Sequence, residues 1–88
     1  MRSNMKEEIK EQLHEKTIIL EPQECYNNAI VRVENHKLVY DYDLIVDCLM
    51  SFYDWEYIEA LEWIEYNTIR SLPYMGEYAP IIEQEEVE

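Results

Sequence analysis

Between Lys37 and Arg70 the chain has no lysine or arginine, yet it carries eight carboxylates: Asp41, Asp43, Asp47, Asp54, Glu56, Glu59, Glu62 and Glu65. Nothing local neutralises them. Like charges on neighbouring turns of a helix repel, at a cost of roughly a few tenths of a kcal/mol per pair. Helices formed here therefore turn their acids to water and their apolar residues inward. The imbalance belongs to one half of the chain. Residues 1–40 hold seven acids and six bases, a net of −1, whereas residues 41–88 hold thirteen acids and one base, a net of −12. A net charge of −13 argues against direct nucleic-acid binding and against anionic membranes, because both need a basic footprint. Apolar residues make up 48% of the 88, too many for a fully disordered acidic chain. The length fits one domain with one modest core.

Chemistry-bearing motifs are absent. Cys25 and Cys48 have no CxxC partner and are too few for a disulfide scaffold, so they read as reduced thiols. His14 and His36 are isolated, and Asp41-Tyr42-Asp43 supplies only the first step of a Ca²⁺ loop, without the turn glycine. The expectation is a non-enzyme with no cofactor and no metal. No apolar run approaches the ~18 residues of a membrane span. No apolar segment of signal-peptide type follows Met1, which points to a cytoplasmic location.

The element pattern is short and mixed. Asn4 followed by Glu7 is a capping-box pattern, and Met5, Ile9 and Leu13 form a narrow stripe, so a helix is expected from Asn4 to Lys16. Thr17–Leu20 reads as a strand, followed by a polar connection over Gln23–Asn28. Ala29–Val33 and Leu38–Tyr42 flank Glu34-Asn35-His36-Lys37, a hairpin with Asn35 as the positive-φ residue. Asp43 caps a helix whose inward residues are Leu44, Ile45, Cys48, Leu49 and Phe52. Asp54 caps a second helix, from about Trp55 to Arg70, with Tyr57, Ala60, Leu61, Ile64 and Thr68 on its core face. Pro73 stops it, Pro73–Pro80 is a loop, and Ile81-Ile82 returns as a short strand.

The second helix concentrates the charge. Glu56, Glu59, Glu62 and Glu65 recur every third residue and slant across the face opposite the core over about 13–14 Å. Neighbouring carboxylates then sit roughly 5–7 Å apart, comparable to phosphates along one nucleic-acid strand. Trp55 and Tyr66 fall on the same outer face. An aromatic anchor in a charged surround is a hot-spot arrangement. These six residues are the candidate partner-binding set. Tyr74, Met75 and Tyr78 of the loop are secondary candidates.

Three segments carry a resemblance. They are Tyr40-Asp41-Tyr42-Asp43, the run from Glu59 to Gly76 containing Tyr66-Asn67-Thr68-Ile69-Arg70-Ser71-Leu72-Pro73-Tyr74-Met75-Gly76, and Ala79-Pro80-Ile81-Ile82. Over roughly residues 26–82 the chain resembles a family of small proteins from phages and prophages of Gram-positive bacteria. The resemblance implies a bacterial virus or mobile element, and the host cytoplasm, as the setting. It supplies context rather than mechanism.

The expected architecture is α+β: a small antiparallel sheet, made of the hairpin plus one or two short strands, packed against two helices. Residues 1–16 form a polar helix or arm, 17–82 the domain, and 83–88 a disordered acidic tail. The expected function is a non-enzymatic phage inhibitor of a host nucleic-acid-binding defence protein, of anti-CRISPR or anti-restriction type. Its carboxylates stand in for phosphates before a basic partner. The alternative is a phage regulatory adaptor that binds through the aromatic loop or the N-terminal helix, with the acidic face only solvating. Self-association through that helix is the accompanying homodimer reading.

Overall fold

Asn35 and His36 turn the chain. In the computed structural model, which describes residues 6–84, both have positive φ, 51° and 67°. That is the conformation a two-residue hairpin needs to match the twist of its strands. Asn35 was the expected left-handed residue; His36 is a second. The turn joins β1 (Ile30–Glu34) to β2 (Lys37–Asp41) in antiparallel register, with Val33 opposite Leu38 and a bulge between Ile30 and Arg32.

β2 is the central strand, and Leu38, Val39 and Tyr40 are fully buried. On its other edge lies β3 (Ile81–Glu83), which runs parallel to it, with Val39 beside Ile81. The fold is α+β, as expected, but the sheet is mixed rather than wholly antiparallel. A parallel neighbour requires a long crossover, and residues 42–80 supply it. Glu83, assigned from sequence to the tail, belongs to β3. Arg32 reaches across β2 to Glu83 at 2.6 Å and also holds Glu34 at 2.6 Å.

The crossover begins with α3 (Tyr42–Tyr53). Its cap is Asp41, not Asp43: Oδ1 of Asp41 accepts from the Leu44 amide at 3.0 Å. Its inward face is Tyr42, Ile45, Val46 and Leu49, while Leu44 and Phe52 are exposed. Asp54 does not cap the next helix. It closes α3 in the left-handed conformation, φ 59°. α4 (Tyr57–Trp63) is capped instead by Glu56, in a reciprocal box with Glu59. The chain then widens into a π turn over Ile64–Thr68 and tightens into a 3₁₀ segment over Ile69–Tyr74. Pro73 therefore lies inside helical backbone rather than stopping it.

Three expected elements before the hairpin differ. The Asn4–Lys16 helix shrinks to α1 (Glu7–Lys10). Asn4 and Met5, on which its cap and stripe depended, lie outside the described residues, as do residues 85–88 of the tail. Thr17–Leu20 forms no strand and joins no sheet; the Ile18 amide donates to the Tyr78 carbonyl at 3.2 Å. The polar connection is helical, with α2 (Gln23–Tyr26) and a 3₁₀ turn over Asn27–Ala29 burying Cys25, Tyr26 and Ala29. α2 packs on α3, and Ile9 and Leu13 rest against the core. Two buried tyrosines knit these layers. Tyr40 accepts from the Leu20 amide at 3.0 Å, and the Tyr26 and Thr68 hydroxyls lie 3.0 Å apart.

Candidate protein-binding site

α4 carries Glu59 and Glu62, the π turn carries Glu65, and Glu56 is the cap that precedes α4. Glu56, Glu59, Glu62 and Glu65 are all exposed. Ala60, Ile64 and Thr68 are buried behind them, and Leu61 is half-buried. Tyr57, assigned to the core, is 59% exposed instead. With Glu56 as the cap, Tyr57 is the first residue of α4.

The carboxylates are not equivalent. Glu56 and Glu59 satisfy each other's backbone amides at the helix start; Glu59 Oε1 accepts from the Glu56 amide at 2.9 Å. Glu65 receives a long, 3.4 Å bond from the Tyr42 hydroxyl. Burial, then the Glu65 charge beside it, raises the Tyr42 phenol above its ordinary range. Among the described residues, no ion pair involves an acid between Asp41 and Glu65; the pairs are Lys10 with Glu7 and Arg32 with Glu34 and Glu83.

Aromatic rings run alongside. Trp55 is half-buried, and Tyr66 is 65% exposed. Tyr53 stacks on Trp55 at 4.5 Å between centroids, and Trp55 meets Trp63 at 6.2 Å. Trp55, Glu59, Glu62, Trp63, Tyr66 and Asn67 line one open depression of about 340 Å³. A neighbouring one of about 350 Å³ is lined by Leu61, Glu62, Glu65, Tyr66 and Arg70. Glu62 and Tyr66 belong to both. The Arg70 guanidinium lies 5.1 Å from the Tyr66 ring centroid, a cation–π distance. The structure thus brings Trp55, Glu59, Glu62 and Tyr66 close together. Glu65 faces the second depression, and Glu56 sits at the helix start, lining neither.

The candidate set drawn from the sequence left out Trp63, Asn67 and Arg70, which line this surface. The i, i+4 spacing of Tyr66 and Arg70 was a usable signal for their pairing. The loop candidates divide. Tyr74 is 88% exposed. Met75 is half-buried and packs on the core, and half-buried Tyr78 stacks on His14 at 4.4 Å. No cluster of three or more metal-ligating side chains occurs among the described residues. No helix among them is long and apolar enough to cross a membrane. A carboxylate-rich face with ring walls can attract and seat cations. Comparison with known protein families, with curated proteins and with solved structures gave no match.

Proposed function

We propose that this chain is a non-enzymatic, acidic protein-binding module that occupies the nucleic-acid groove of a basic partner. The partner class is a host defence protein, which makes the chain an inhibitor of the anti-CRISPR or anti-restriction kind, carried by a phage or prophage and acting in the host cytoplasm. One observation carries the reading: the outer face of α4 combines carboxylates that form no ion pair among the described residues with rings that are partly exposed. A basic groove meeting this face gains Coulomb attraction without first breaking an ion pair. The rings supply the apolar anchor that charge alone lacks.

The test uses tagged protein and a host lysate, with Glu62→Lys/Glu65→Lys as the control. Both positions lie outside the Glu56–Glu59 cap, so the reversal spares the helix start. The wild type should retain a partner that the reversal variant loses and that added nucleic acid elutes. A partner retained equally by both proteins and indifferent to nucleic acid overturns the reading.

One observation favours a second reading. Tyr74 is the most exposed large apolar side chain among the described residues. An adaptor binding through the segment after α4 would lose its partner on Tyr74→Ala and keep it on charge reversal.

A further inference from the structure

Two independent features meet at Tyr66. The first is the open depression lined by Trp55, Trp63 and Tyr66 together with Glu59, Glu62 and Asn67. The second is the seat of Arg70, the one lysine or arginine in residues 38–88. Its guanidinium lies over the Tyr66 ring in the adjoining depression, which Glu62 and Glu65 also line. The chain itself therefore displays a guanidinium over a ring, flanked by carboxylates. The Trp55–Trp63–Tyr66 depression repeats that chemistry with three rings in place of one, and with no lysine or arginine of its own among its lining residues.

We propose that the Trp55–Trp63–Tyr66 depression is a socket for an arginine side chain of the basic partner. The inference rests on the binding-face reading above and adds the chemistry of the group it receives. A guanidinium is planar and weakly hydrated, stacks on aromatic faces, and bonds a carboxylate through two parallel N–H groups. A lysine ammonium is compact and strongly hydrated, and gains less from ring walls. A face that only mimics phosphate spacing responds to charge and treats the two alike. A socket distinguishes them.

The test titrates the full chain with hexa-arginine and hexa-lysine peptides of equal charge at physiological salt. The chain's two tryptophans both line the depression, so their emission reports its occupancy. Hexa-arginine should bind about three- to tenfold more tightly than hexa-lysine and shift the tryptophan emission, as expected for a cation–π contribution. Tyr66→Ala should bring the ratio close to one, and Tyr66→Phe should keep it. Tyr66 is exposed, so neither change disturbs the core; circular dichroism checks this. Glu62→Gln should weaken both peptides. Equal, salt-sensitive affinities for the two peptides overturn the socket and leave the acidic-face reading standing. An arginine preference that survives Tyr66→Ala also overturns it. Binding of neither peptide overturns both readings.

Discussion

Tyr26 shows how one residue sets the spacing of several layers. It is fully buried, bonds Thr68 of the π turn, and meets Tyr40 and Trp63 ring to ring at 6.0 and 6.3 Å. Tyr26→Phe should cost about 1 kcal/mol, because it strands a buried hydroxyl. Tyr26→Phe with Thr68→Val should cost less than the two single changes added together, since no unpaired partner remains. A denaturation double-mutant cycle measures this. Burial also pushes the phenols of Tyr26 and Tyr40 up to about 12 from an ordinary 10.0, and the Cys25 thiol up to about 12 from 9.0. In each case the folded pKa lies above the unfolded one. The stabilisation is complete below the unfolded values and is lost as pH rises through the folded ones. Stability should therefore decline from about pH 9 to about pH 12, with two of the eight tyrosines ionising only as the fold is lost. Titration of tyrosinate absorbance alongside circular dichroism follows both. Tyrosines that all ionise near 10 in a folded chain would contradict it.

At the scale of the element, α4 depends on where its cap sits. Ile64→Ala removes a fully buried side chain and should cost about 2–5 kcal/mol, whereas Tyr57→Ala should fall within about 0.5 kcal/mol. Asp41→Ala should cost about 1 kcal/mol through the lost α3 cap, and Asp43→Ala much less. Thermal or urea unfolding of the set ranks them. The same contrast marks what the sequence made legible. The hairpin, two central helices and a final short strand were readable, because alternation, helical spacing and Asn35 are local signals. The exposed glutamates were readable for the same reason. The caps were not, because Asp41 and Asp43, or Asp54 and Glu56, offer equivalent oxygens two residues apart. Tertiary fit chooses between them. Phe52 and Tyr57, expected in the core, lie on the surface. α2 was hidden because Pro22 and the polar Gln23, Glu24, Asn27 and Asn28 mask the inward pair Cys25 and Tyr26. The direction of β3 was hidden because three residues carry no orientation signal. The Arg70–Tyr66 contact was legible in spacing alone; the depressions beside it depend on how the π turn sets Tyr66 and Asn67 against Trp55.

Across the whole molecule, charge and packing occupy opposite sides of the second half. The sheet, α2 and α3 enclose the apolar residues, and the α4 face carries carboxylates that form no ion pair among the described residues. Steering by such a face is screened over about 8–10 Å at physiological ionic strength, so association should slow as salt rises. Glu62→Lys/Glu65→Lys should slow association and flatten its salt dependence. Trp55→Ala should mainly raise the off-rate, as loss of an apolar anchor does. Stopped-flow kinetics on the captured partner separates the two. The most direct measurement is competition: the captured partner is preloaded with labelled nucleic acid and titrated with this chain at several salt concentrations. The account predicts that the nucleic acid is displaced, with an affinity for the chain that falls as salt rises and is lost with Glu62→Lys/Glu65→Lys. A ternary complex in which the partner holds both the nucleic acid and this chain, at an affinity indifferent to salt, would contradict it.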